Sequence, residues 1–280
     1  MRKRVWVLAL LGTALILTGC LGGGGTDGYG TLELSITDAP TNDIEQAWVS
    51  VSKVTAHNTE QGWFTIKEFP EGEELEIDLL TLRFDEQLLG KELLPAGKYT
   101  EIRLKIDEAW VISGDGQKDF KIPSGEESGI KIKHNFTINS RQVKVLVMDV
   151  NLLEFIRPHQ DGYMMNPTAI KVLDKLAANS VNGHVGILVD GKFVPYVDGD
   201  VVLKIYQGET LISSSLALRS DENGHLAGYF QFNAVPAGDY RLVAEVYDGD
   251  ILTWSAETSI VVDLENNELE ENIILKPVEI

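Results

Sequence analysis

Apolar and polar residues alternate with period two along almost the whole chain, and that alternation leaves little besides β-sheet for it to fold into. Leu32, Leu34 and Ile36 alternate with Glu33, Ser35 and Thr37. Leu75, Ile77 and Leu79 alternate with Glu76 and Asp78, and Ile102, Leu104 and Ile106 with Arg103 and Lys105. Ile130, Ile132, His134, Phe136 and Ile138 share one side of a further segment, opposite Lys131, Lys133 and Thr137. Such runs describe strands with one buried and one wet face. Val143 to Val150 is more continuously apolar, as expected of a central strand buried on both faces. Only Thr81–Leu89 and Leu152–Ile156 read as short helices.

The strand pattern breaks between Lys175 and Gly183, and a second series follows. Val201, Leu203 and Ile205 alternate, as do Phe230 and Phe232, then Tyr240, Leu242, Ala244 and Val246, then Ile260 and Val262. Asp190-Gly191, Asp198-Gly199, Asn223-Gly224, Asp248-Gly249 and Asn266-Asn267 punctuate them, at the spacing of a β-sandwich. The expected fold class is therefore all-β, with two antiparallel β-sandwich domains at residues 30–175 and 179–280. Pro95-Ala96-Gly97-Lys98-Tyr99 in the first half is echoed by Pro236-Ala237-Gly238-Asp239-Tyr240 in the second. Each reads as a type II turn leading into a strand, with the tyrosine hydroxyl reaching back to the main chain.

Ahead of the strands lie Arg2, Lys3 and Arg4, an apolar run from Val5 to Leu17, and Cys20, the only cysteine. This is the layout of a secretory signal. It is shorter than the roughly 20 apolar residues of a spanning helix. Leu17-Thr18-Gly19-Cys20 resembles the lipobox of prokaryotic lipoproteins. The resemblance implies removal of residues 1–19, lipid on Cys20 and a tether over residues 20–29, where Gly22–Gly25 are too flexible to join a core. Loss of residues 1–19 removes three basic and no acidic residues, leaving 21 basic against 43 acidic and a net charge of −22. Such a surface repels nucleic acid and anionic head groups, so the expected membrane contact is through the lipid alone. With one cysteine no intramolecular disulfide forms.

Both halves carry family resemblances. Gly30-Thr31-Leu32-Glu33-Leu34-Ser35-Ile36-Thr37-Asp38-Ala39-Pro40, Val49-Ser50-Val51, Ile77-Asp78-Leu79-Leu80, Leu94–Tyr99 and Val147–Val150 before Asn166-Pro167 resemble, in that order, a prokaryotic lipoprotein domain family of unknown function. Val181–Val185 and Phe230-Gln231-Phe232-Asn233-Ala234-Val235-Pro236-Ala237-Gly238-Asp239-Tyr240 are similar to carboxypeptidase regulatory-like and transthyretin-like domains. The second resemblance implies a seven-stranded sandwich used as a spacer or docking module, without catalytic residues.

Residues able to carry chemistry are few. Asp38, at a strand end before Ala39-Pro40, reads as an Asx-turn acceptor. The alternative is a calcium or substrate ligand acting with Asp43, Asp78 or Asp149. Calcium takes six to eight oxygens from flexible loops. Asp198, Asp200, Asp248 and Asp250 offer some, although Asp-Gly is also an ordinary hairpin turn. No EF-hand, helical zinc site, nucleophile elbow or phosphate-binding loop is present. His57, His134, His159, His184 and His225 are scattered. Trp48, Trp63, Trp110, Trp254, Tyr163, Tyr196, Tyr229 and Tyr247 are expected mainly in packing, and would form a stacking platform for sugar rings if two or three shared an open face. The expected protein is exported and lipid-anchored, binding or scaffolding envelope protein or polysaccharide. The rival readings are a hydrolase of envelope or extracellular polymer and a calcium-dependent adhesion module.

Overall fold

A computed structural model describes residues 28–39, 44–123, 129–160, 162–221, 224–263 and 272–278. The signal, Cys20, residues 20–27 of the tether, Asp43 and the Asn266-Asn267 turn lie outside the described residues, whereas Tyr29, expected in the tether, already belongs to the first strand. The fold is all-β, as the alternation requires. The first twelve strands are β1 (Tyr29–Ala39), β2 (Gln46–Asn58), β3 (Gly62–Glu68), β4 (Leu75–Asp78), β5 (Gln87–Pro95), β6 (Gly97–Ser113), β7 (Gly116–Lys121), β8 (Ile130–Ile138), β9 (Val143–Asn151), β10 (Ile156–His159), β11 (Gly162–Met165) and β12 (Ile170–Asp174). One sheet has the order β12-β9-β1-β5. The larger sheet runs β10-β11-β7-β6-β2-β3, with β4 also on β2 and β8 also on β6. β2 and β6 accommodate these extra partners because they are long, 13 and 17 residues.

The two sheets enclose one core. Leu32, Leu34 and Ile36 of β1 meet Val49, Val51 and Val54 of β2 and Ile102, Leu104 and Ile106 of β6, none more than 3% exposed. Truncating one of these, such as Leu34→Ala, costs about 2–5 kcal/mol in lost burial and cavity. The β1–β9 pair is parallel, in register from Thr31↔Val143 to Ala39↔Asn151. Parallel neighbours need a long crossover, and here the intervening chain supplies β5 of the same sheet and most of the facing one, β2–β4 and β6–β8. Parallel pairing also joins β11 to β7 and, in the second half, Val185 to Ile273, so among the described residues the antiparallel sandwiches expected from the pattern carry three parallel contacts.

Of the two helices expected, Leu152–Phe155 forms one α-turn. The other is a 3-10 helix, Leu79–Phe84, beginning earlier than the pattern places it and giving way to β5 from Gln87. Asp78 sets its start by accepting from the Leu80 amide at 3.2 Å. A 3-10 turn, Lys175–Ala177, occupies the break in the strand pattern.

The remaining strands are β13 (Ala178–Val189), β14 (Lys192–Pro195), β15 (Val201–Gln207), β16 (Thr210–Leu216), β17 (Tyr229–Pro236), β18 (Gly238–Asp248), β19 (Ile251–Val262), β20 (Ile273–Ile274) and β21 (Lys276–Pro277). They form a sheet β14-β13-β17, with β20 on β13, and a sheet β16-β15-β18-β19-β21. A second core lies between them, built on Val185, Leu203, Ile205, Phe230, Phe232 and Leu242.

The sequence echo has a structural counterpart. Tyr99 donates its hydroxyl to the Pro95 carbonyl at 2.8 Å, and Tyr240 does the same to Pro236 at 2.8 Å. The turn itself is not type II. Gly97 and Gly238 have φ of +148° and +155°, far from the roughly +80° of that turn. Each segment links a strand of one sheet to a strand of the facing sheet, β5 to β6 and β17 to β18. Crossing the core demands a wider bend than a hairpin, and only glycine reaches those φ values without strain.

Candidate functional site

The acidic residues singled out in the sequence sit largely inside the fold. Asp38, Asp78 and Asp149 are 1%, 8% and 4% exposed. One oxygen of Asp78 accepts from Ala47 N at 3.0 Å and Leu80 N at 3.2 Å, tying β2 to the 3-10 helix. Strand alternation places Asp38 on the core side with Leu34 and Ile36, and Asp149 on the opposite side with Val147. The two are therefore not brought together, although they lie on neighbouring strands.

Asp149 belongs instead to a row crossing three strands. Thr37 is its register partner on β1 and Lys171 its partner on β12. The second half of the chain covers this row. Ser213 Oγ donates to Asp149 Oδ2 at 3.1 Å, and Lys171 Nζ donates to the carbonyls of Leu211, at 2.8 Å, and Ile212. Asn233 Nδ2 reaches Thr37 Oγ1 at 2.8 Å, Asp38 O at 2.9 Å and Arg83 O at 3.0 Å. Burial pushes the Asp149 carboxyl up to about 6, against the opposing pull of the Ser213 hydrogen bond and the Lys171 charge. Burial also lowers Lys171. This is a docking strip, and it buries β9 on both faces from Leu146 to Asn151; the continuous burial expected from Val143 fails at its start, where Val143 is 52% exposed.

The acidic turns of the second half lie at the surface. Asp198, Asp248 and Asp250 are exposed, and Asp200 pairs with Arg219. Among the described residues no three His, Cys, Asp or Glu side chains converge as a metal site would require.

The aromatics are arranged more productively. Tyr196 and Trp254 pack together on the second core, ring centres 5.9 Å apart, and Tyr229 is buried. Trp48 and Trp110 are cross-strand partners on β2 and β6. Their rings are nearly parallel, 5.9 Å apart at 14°, and the Trp48 indole N–H donates to Gln46 Oε1 at 3.1 Å. Alternation sets them on the solvent side of the large sheet, since Ala47, Val49 and Val111 beside them are in the core.

Trp110 lines an open cleft of about 900 Å³, with Tyr163, His159, Glu108, Asp119 and Lys121. Asp119 is the cross-strand partner of Trp110 on β7. The cleft exists because β10 and β11 extend the sheet past β7, carrying His159 and Tyr163 beside that strand, with Tyr163 next to Phe120 and partly packed on the core. His159 Nε2 is buried and has no hydrogen-bond partner among the described residues. Clefts of this size with aromatic walls and a few convergent polar groups are the usual form of a small-molecule or saccharide site. Trp110 and Tyr163 stand out in the sequence by residue type. His159 reads only as one of five scattered histidines, and Glu108 and Asp119 do not stand out at all, because nothing local to them announces that β7, β10 and β11 meet.

No curated protein is similar in sequence to this chain. Among solved structures, the chain is similar to the Bacillus anthracis TIE protein at 11% identity and a TM-score of 0.25, over 90% of this chain and 34% of that one. It is similar to GBS52, the minor pilin of Streptococcus agalactiae, at 11% and 0.26, over 89% and 97%. The pilus adhesin RrgA of Streptococcus pneumoniae follows at 12% and 0.19, over 85% and 33%. The chain spans about a third of the length of the Bacillus and pneumococcal proteins, and likenesses at these TM-scores carry no argument about it. The family match lies in the first half: residues 29–167 match the family described as Domain of unknown function (DUF4382).

Proposed function

We propose that the protein is an exported, lipid-anchored binding protein of the cell envelope that holds polysaccharide in the cleft beside Trp110. The observation that carries this reading is the near-parallel Trp48–Trp110 pair, of which Trp110 lines an open cleft with buried His159 Nε2, unpartnered among the described residues, in its wall. A flat indole pair offers the apolar face of a sugar ring something to stack on. The carboxylates of Glu108 and Asp119 supply acceptors for its hydroxyls. In this reading residues 1–19 are the signal, Cys20 carries the lipid, residues 20–29 are the tether and residues 30–175 hold the site. Residues 179–280 are a support module similar to carboxypeptidase regulatory-like domains, packed against the β1–β9–β12 strip.

Electrophoresis through gels containing soluble polysaccharides tests the site. The protein should be retarded by at least one polysaccharide and Trp110→Ala should run free. Equal mobility of the two proteins in every gel refutes the assignment. Incorporation of labelled fatty acid, lost in Cys20→Ala, tests the anchor.

A further inference from the structure

We infer that the ligand is a linear, uncharged polysaccharide lying along the strands of the large sheet, and that Trp63 is a second contact at the far end of the track. This rests on the cleft beside Trp110 being a glycan site, and adds to it the length and charge of the chain it takes.

The cleft does not end at Trp110. A groove of about 450 Å³, walled by Ser52, Lys53, Glu68, Phe69 and Lys105, shares Asp107 with it and continues across β2 and β6. Beyond the groove stands Trp63, the cross-strand partner of His57 and 41% exposed. Irregular pairing near Ser52 shifts the alternation of β2 so that Val54 and Ala56 take over the core positions from Val49 and Val51. Trp48 and His57 consequently face the same, solvent side despite their odd spacing.

Trp63 is held ready for contact. The Arg103 guanidinium lies 3.9 Å from its ring centre and the His57 ring 4.9 Å away, and Arg103 Nε is fixed on Glu101 Oε1 at 2.6 Å. Trp48 and His57 are nine steps apart along β2, so the two indole stations are about 30 Å apart at a strand rise of roughly 3.3 Å. One or two sugar units cannot touch both. A longer chain can, and once held at one station it meets the second at high effective concentration.

Charge narrows the polymer further. In the groove Lys53 pairs with Glu68 at 3.0 Å and Lys105 with Asp107 at 2.9 Å. Among the described residues Glu108 and Asp119 have no ion pair, and with Glu71 and Glu74 in the groove they outnumber the cleft's Lys121, so the track is left acidic and repels polyanions.

The test is calorimetric titration of the full mature chain in detergent with cellobiose, cellohexaose, mannobiose, mannohexaose and polygalacturonate. Wild type should bind a hexaose at least about tenfold more tightly than the biose of the same sugar, and polygalacturonate not at all. Trp63→Ala should remove that gain and leave the biose unchanged, with Trp63→Phe restoring part of it. Trp110→Ala should abolish binding of both lengths. Matched melting temperatures of the variants exclude misfolding. Equal affinity for biose and hexaose, or an undiminished gain in Trp63→Ala, overturns the track and leaves the cleft standing. Polygalacturonate binding as tightly as a neutral hexaose overturns the charge selection. Binding of no neutral saccharide, or binding indifferent to Trp110→Ala, overturns the cleft and the track together.

Discussion

Replacing Asp149 by asparagine should make the protein less sensitive to pH and more stable at neutral pH. The carboxyl sits under β16, 4% exposed, with Ser213 Oγ on one oxygen. Burial raises it from the ordinary 3.8 to about 6. A group whose folded pKa is raised binds its proton more tightly folded than unfolded. Its stabilising contribution is full below about pH 3.8 and is lost as pH rises through about 6. Two units correspond to about 3 kcal/mol of penalty on the ionised form at pH 7. For a chain of this size that is worth several degrees, about 6–12 °C.

Thermal melting followed by circular dichroism between pH 5 and 8 reads the effect. Wild type should melt progressively lower as pH rises from 5 to 7, and Asp149→Asn should flatten that slope by several degrees. The other carboxylates repel one another in both proteins, so the difference between the two curves is the quantity that decides. Parallel curves, or an Asp149→Asn protein that is less stable at pH 7.5 and more pH-sensitive than wild type, would contradict a buried carboxyl raised toward 6.

Three further outcomes follow from the same structure. Tyr99→Phe and Tyr240→Phe each remove one hydrogen bond to a proline carbonyl at a sheet crossing, and each should cost about 1–2 kcal/mol in urea unfolding. Similar losses from both support equivalent corners, whereas no loss from either means the hydroxyls are satisfied by water. Asn233→Ala strips an amide that contacts Thr37, Asp38 and Arg83, and should lower stability by about 1–3 kcal/mol while raising protease sensitivity near the junction; an unaltered digestion pattern would contradict this. Gly129→Ala should be strongly destabilising, because its φ is +68° and a Cβ would stand 2.7 Å from the Leu104 carbonyl oxygen; a melting point within a degree of wild type would count against that geometry.

Local chemistry announces what local forces decide. The period-two alternation at Leu32–Ile36, Ile102–Ile106 and Ile130–Ile138 determined strands and their buried faces, because in a strand successive side chains point to opposite sides. The Pro-Ala-Gly-x-Tyr segments determined two equivalent corners, because proline, glycine and a hydroxylated ring act on their own neighbourhood. The same local reading misjudged their turn, since the bend is set by the distance to the facing sheet.

Partner choice belongs to the tertiary structure. Nothing near Thr31 names Val143 as its parallel neighbour, and nothing near Trp48 names Trp110. Those pairings are fixed by burying all the strands at once. Asp38 and Asp149 looked like companions in sequence, yet parity sets them on opposite faces of one sheet. Asp149 is buried only because β16 covers it. The cleft likewise exists only where β10 and β11 extend the large sheet, which brings His159 beside a tryptophan 49 positions earlier in the chain. Alternation is a property of a single strand and is written in it. A site on a sheet is a property of several strands, and only their joint packing decides which side chains meet.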